Sequence, residues 1–198
     1  VLFLGDHIYQ YHLKEKKFST ITEEEGKDIV GTLVPFDHQE NLTYINDIKH
    51  IYELDDQTSR LKTVFECYTD TVISSVSHDE QGHFWIGSNF GLIHYDPVLK
   101  SRTLVPTNLF TEINMVLCDQ KGKVWIGVDN MLFAYFIKEQ KFVLFGESNG
   151  AIQNEYLPNA RLVNEQGDAY IGGVKGMLRI DGQLLLNTSE MPELQLLD

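Results

Sequence analysis

The strongest constraint on this chain is that it repeats. Three stretches align on one template: Ile73 to Asp96 reads ISSVSHDEQGHFWIGSNFGLIHYD, Ile113 to Tyr135 reads INMVLCDQKGKVWIGVDNMLFAY, and Ala160 to Asp181 reads ARLVNEQGDAYIGGVKGMLRID. Aligned on the aromatic that precedes Ile-Gly, Trp85, Trp125 and Tyr170 stand 40 and 45 residues apart. Counting back by about 41 reaches Tyr44 in LTYIND and then Phe3 in VLFLGD, so five units fit in the 198 residues. A period of this size marks supersecondary units that bury their apolar faces only against their neighbours.

Each unit reads as antiparallel strands. An alternating stretch such as Ile73-Ser74-Ser75-Val76-Ser77 has the period of two that a half-buried strand requires. A tight turn follows: Asp79-Glu80-Gln81-Gly82, Asp119-Gln120-Lys121-Gly122 and Asn164-Glu165-Gln166-Gly167. The fourth-place Gly supplies a positive φ and the leading Asp or Asn can bond the turn's own amides. In the second unit Asn41, which also tolerates that conformation, holds the same place. An aromatic-Ile-Gly strand, a short loop and a third strand come next, the last being Leu92–Tyr95, Leu132–Tyr135 or Met177–Ile180. A weaker fourth strand, as in Arg102–Val105 and Lys141–Phe145, closes most units. Four strands at a period near 41 is the spacing of a β-propeller blade. The expected fold is all-β: about five four-stranded antiparallel blades, part of a larger propeller. The second-strand aromatic would pack between blades, and the Gly two residues on would let the neighbouring sheet approach. The paired Gly-His and Trp-Asp signature of WD repeats is absent, since Gly-His occurs only at Gly82-His83 and Trp-Asp nowhere.

Composition narrows the partners. Asp plus Glu number 29 against 16 Lys plus Arg, a net charge of −13. A nucleic-acid surface needs clustered positive charge, and so does an anionic membrane. No apolar run reaches the roughly 18–20 residues of a spanning helix. The start, Val1-Leu2-Phe3-Leu4-Gly5, has neither Met nor a basic region and reads as cut from a longer chain. Cys67 and Cys118 lie 51 residues apart without a CxxC pair, so two buried free thiols are expected rather than a zinc site or a disulfide framework.

The pattern Asp-x-x-Gly-x-x-Trp-Ile-Gly-x-x-x-Gly-Leu-x-x-Tyr-Asp, filled from Asp79 to Asp96, resembles the two-component regulator propeller repeat. Those repeats build the extracytoplasmic sensors of hybrid two-component systems in Bacteroides-type bacteria. The fourth unit departs where Met131 replaces the second Gly, the fifth has Tyr170 for Trp, and His50 stands at the second Gly's place in the second unit. Asn149 to Tyr156 resembles the segment before the final blade of such sensors, and Met191 to Leu196 resembles the lead-in to the β-sandwich that follows. The resemblance implies blades over residues 1–185, the first incomplete, and an exit segment over 186–198. It also implies a periplasmic location, a non-catalytic sensing role upstream of a histidine kinase, and a homodimer formed through the propeller or the sandwich.

Motifs that would carry chemistry are absent: no Gly-x-Ser-x-Gly elbow, no phosphate-cradling loop, no His-Glu-x-x-His. The seven histidines are scattered, so a metal site built from them would require distant blades to converge. Asp55-Asp56 and Glu23-Glu24-Glu25 read as solvated loop charge. No cofactor, metal ligand or catalytic residue is therefore assigned. Propeller ligands commonly sit where the second-to-third-strand turns meet the connections between blades. Here that end holds Asn89, Phe90, Asp129, Asn130, Asn154, Tyr156 and Lys175. Planar amides and carboxylates beside an aromatic suit an oligosaccharide, although Asn and Asp also simply favour turns. Two other roles stay open, a polysaccharide lyase or glycosidase and a structural, dimerising propeller without a ligand.

Overall fold

The computed structural model describes residues 2–4, 8–23, 34–39, 42–55, 57–68 and 70–182. The exit segment expected over 186–198, the turn at Asn41 and most of Glu23-Glu24-Glu25 lie outside them. The described residues are strands apart from turns and one short 3-10 segment, and they form five sheets in chain order. The chain divides into two compact units, Val1–Ile73 and Ser74–Asp198.

In the first unit β1 (Leu2–Leu4), β2 (Ile8–His12) and β3 (Lys17–Thr20) form a three-stranded antiparallel meander. The second sheet has five strands, in the order β4 (Thr22–Glu23), β8 (Arg60–Glu66), β7 (His50–Asp55), β6 (Leu42–Asn46), β5 (Val34–Gln39). Four of these are the expected meander. The fifth, β4, pairs parallel with β8 through Thr22–Arg60 and Glu23–Leu61, giving its otherwise open edge a hydrogen-bonding partner. Ile21, Ile45, Tyr52, Leu54 and Leu61 form the buried cluster of this unit. Where other units carry the second Gly, the β6–β7 turn is held instead by Asp47, whose Oδ1 accepts the N–H groups of Lys49 (2.7 Å) and His50 (2.6 Å).

The second unit carries the three clear repeats. The third blade is β9 (Ile73–His78), β10 (Phe84–Ser88), β11 (Gly91–Asp96) and β12 (Ser101–Leu104). The fourth is β13 (Met115–Cys118), β14 (Lys123–Val128), β15 (Met131–Phe136) and β16 (Lys141–Phe145). The last shows three strands among the described residues, β17 (Tyr156–Val163), β18 (Ala169–Gly173) and β19 (Gly176–Ile180). These antiparallel meanders are β-propeller blades.

The turn chemistry is as the repeat demands. Gly82, Gly122 and Gly167 have φ of 79°, 86° and 84°. The Oδ1 of Asp79 accepts from the N–H of Gln81 and His83, that of Asp119 from Lys121 and Lys123, and that of Asn164 from Asp168. The chain closes the β10–β11 turn with Gly91 at φ 117°, whereas the β14–β15 turn places Asp129 at φ 49°. That shift is how the fourth blade accommodates Met131.

Blades meet at the aromatic and at the glycine. Trp85 is buried with Val116, Cys118 and Ile126 of the next blade, and Trp125 with Tyr156, Ala169 and Ile171 of the one after. A Cβ at Gly87 would stand 2.7 Å from Ile113 Cγ2 and one at Gly127 2.9 Å from Tyr156 Cβ, both ahead in the next blade, while one at Gly172 would stand 2.9 Å from Ala160 Cβ of its own blade. Only hydrogen fits there. First strands are also stitched to each other. Ser75 Oγ accepts the N–H of Val116 and Ser77 Oγ that of Cys118, each at 3.0 Å and each 41 residues on. Arg161 on β17 reaches across to donate to Ser75 Oγ and to the carbonyls of Val76 and Val116. Cys118 is buried, and burial pushes its thiol pKa up. Cys67 is only half-buried: it lies just past the end of β8, outside the strand, whereas Cys118 lies within β13.

Candidate functional site

Within the second unit, the turns between second and third strands and the connections between blades gather at one end, tied by backbone hydrogen bonds. The Ile113 N–H donates to Ser88 O, that of Asn154 to Asn130 O (3.2 Å), and that of Val174 to Glu155 O (3.1 Å). Every connection is thereby pinned to the turn of the blade before it or after it.

Asn154 is the main pin. It is buried; its Oδ1 accepts the Lys175 N–H at 2.9 Å and its Nδ2 donates to Gly176 O at 3.2 Å. Lys175 Nζ bonds Gln153 O at 3.1 Å. Tyr156 is buried as well, with its hydroxyl donating to Ile152 O at 3.1 Å and its ring in the core beside Trp125. Burial raises its phenol pKa. The structure thus brings Asn130, Asn154, Tyr156 and Lys175 into one assembly. Asn89 and Phe90 sit on the turn of the preceding blade, where the Phe90 N–H donates to Ser88 Oγ at 3.2 Å and its ring is 53% exposed. Asp129 is exposed at the left-handed position of its own turn.

Beside Asn130 lies an open cleft of about 390 Å³. Its apolar wall is Met131, Leu132, Leu144 and Phe145 from the ends of β15 and β16. Its polar side comes from the connection, as Glu147, Ser148 and Gln153 with the Ile152 side chain between them. That connection is shaped by a 3-10 turn, Glu147–Asn149, closed by Gly150 at φ 86°. The chain reverses there, and the Gly146 carbonyl accepts from both Asn149 and Ala151. Of the seven residues singled out from sequence, Asn130 lines the cleft. Glu147, Ser148 and Gln153 escaped that reading because their segment has no counterpart in the other units; the Gly146/Gly150 pair bracketing polar residues was the one available signal.

An amphipathic cleft of this kind can hold a ligand with one apolar face and several hydroxyls, giving the amides and carboxylate bidentate partners. Exposed Met131 and Ile152 supply the apolar contact.

A second polar cluster lies at the opposite end of the third blade. Asp79, His83 and His94 hold donor atoms all within 4.8 Å of one another. These histidines belong to one blade: β10 pairs with β11 so that Trp85 faces His94. Burial first, and then neighbouring His83, lowers the His94 pKa.

The fold is shared with known structures. The extracellular domain of the hybrid two-component system BT3049 from Bacteroides thetaiotaomicron is similar at a TM-score of 0.64 and 13% identity, over 98% of this chain and 26% of that one. That of BT4673 from the same organism is similar at 0.61 and 17%, over 95% and 25%. YCF48, solved bound to a D1 peptide, is similar at 0.67 and 12%, over 91% and 60%. At these identities the likeness is one of fold. The chain spans about a quarter of the length of the two Bacteroides domains. No protein-family model and no curated protein matches it.

Proposed function

We propose that this chain is a segment of the periplasmic, ligand-sensing propeller of a hybrid two-component sensor, and that it responds to an oligosaccharide. The observation that carries this is the near-complete repeat from Asp79 to Asp96, set in blades whose fold matches extracellular domains of Bacteroides hybrid two-component systems. The cleft between Asn130, Glu147 and Gln153 supports the choice of ligand, since it pairs amides and a carboxylate with apolar surface.

The segment acts by binding rather than turnover. Ligand binding on a connection between blades favours one of two arrangements of a dimeric ectodomain, to the extent that it binds one better than the other. Isothermal titration of the intact ectodomain containing this segment against a panel of oligosaccharides tests the reading. One or more sugars should bind saturably, and Glu147→Gln or Asn130→Ala should weaken that binding. Silence across the panel overturns glycan sensing.

A further inference from the structure

The turn between first and second strands carries an acid in each of these blades, leading the turn as Asp79 and Asp119 but following its glycine as Asp168, where Asn164 leads. In the fourth blade Asp119 Oδ2 meets Lys123 Nζ at 2.8 Å, with both side chains largely buried. In the last blade Asp168 Oδ2 meets Arg179 Nη2 at 2.7 Å. Arg179 lies opposite Tyr170 just as His94 lies opposite Trp85. Both blades thus carry a fixed cation in this corner.

The third blade carries none. The position of Lys123 is His83 and that of Ala134 is His94, with Asp96 where the fourth blade has Phe136. Two carboxylates and two imidazoles converge where the neighbours need one amine or guanidinium. His83 stands between the acids, its Nδ1 3.8 Å from Asp79 Oδ2 and its Nε2 3.6 Å from Asp96 Oδ2. The His94 ring packs against Trp85, at 4.6 Å between centroids, and edge-on to His83 at 4.9 Å.

We infer that Asp79, His83 and His94 form a binding site for a divalent transition-metal ion of the zinc class. Two imidazoles and a carboxylate are a ligand set such ions take, commonly with a further position left to water. With bonds of about 2.0–2.1 Å, tetrahedral donors stand roughly 3.4 Å apart. The Asp79–His83 separation is already close to that, so small side-chain rotations complete the set. The surroundings are those of an oriented metal ligand. Asp79 Oδ2 accepts the Trp85 Nε1–H at 2.9 Å, and its Oδ1 is held by two backbone N–H groups. With His83 Nδ1 on the metal, its Nε2 stands 3.6 Å from Asp96 Oδ2, a small rotation from the carboxylate–histidine–metal pairing that fixes tautomer and ring orientation. Asp96 is a positioning residue; its own Oδ1 is anchored by the Val98 and Leu99 N–H groups.

The test is titration of the full chain with Co²⁺ followed by visible absorption and with Zn²⁺ followed by calorimetry. One equivalent should bind saturably, with a d–d band for Co²⁺. His94→Ala, which installs the residue of the fourth blade, and His83→Lys, which installs its built-in cation, should each abolish binding. Asp96→Asn should weaken it by about 10–100-fold. The inference fails if wild-type takes up no saturable equivalent, or if both histidine variants bind as wild-type does. Should a variant not fold, ¹⁵N-detected ring signals of wild-type decide. Those of His83 and His94 must move on adding Zn²⁺, and unmoved signals overturn the site.

Discussion

The third and fourth blades are built on one plan and differ at one corner. Both open on an aspartate whose Oδ1 caps two turn amides, both place a Trp between blades, and both follow it with a Gly that the next sheet touches. They part over the second carboxylate oxygen. Asp79 gives it to Trp85 Nε1, while Asp119 gives it to Lys123 Nζ, and Trp125 Nε1 is then a buried donor with no partner among the described residues. One oxygen of the turn acid is committed to the fold. The other is available for specialisation.

Breaking the corner of the fourth blade should have the largest effect. Lys123→Met strands a buried carboxylate, at a cost of about 3–5 kcal/mol, read as the shift in urea unfolding of the purified chain. A cost below that of an exposed pair would mean Lys123 is not what Asp119 depends on. The tryptophans sharpen the contrast. Trp85→Phe and Trp125→Phe remove similar bulk, but only the first loses a bond to a carboxylate, so it should cost more by about 1.5–3 kcal/mol. Equal costs in the same assay would erase the distinction.

The shared feature should respond alike in both blades. Gly87→Ala and Gly127→Ala each push a methyl group into the next sheet and should destabilise by about 1–3 kcal/mol, measured by thermal or denaturant unfolding. A neutral alanine at either place would show that the inter-blade gap can open. The smallest effect belongs to the last blade. The Gly182 N–H and then Arg179 hold the Asp168 carboxyl below the ordinary range. The stability it contributes is complete above the unfolded carboxylate pKa and is lost as pH falls through the lower folded value. Arg179→Ala should therefore differ from wild-type most at neutral pH, and the gap should close on acidification. Urea curves across a pH series would refute this if the gap widened toward acid.

Much of the architecture was legible in residue order because its causes are local and recur. A fourth-place glycine, a leading turn Asp or Asn and an aromatic before Ile-Gly leave a mark in each of the three clear repeats, and the structure shows all three there. The cleft left no such mark. Gly146 to Gln153 occurs once, and its polar side chains matter only because the connection folds over the ends of β15 and β16. Asn154 and Tyr156 were read as a ligand-facing pair from their composition and place. Their burial follows from packing against Gly173 and Gly127, contacts with residues 19 or more positions away.

The sequence by itself determined the blade, its period, its turns and the residues between sheets, since a period-two strand and a positive-φ turn are decided by neighbours along the chain. Tertiary structure alone decided which side chains meet. His83 and His94 read as scattered until the antiparallel pairing of β10 with β11 brought their rings together edge-on. The same holds for the second oxygen of each turn acid. Its partner is whatever the blade's strands present to it: Trp85, six residues on, for Asp79; Lys123, four on, for Asp119; and Arg179, eleven on across the sheet, for Asp168.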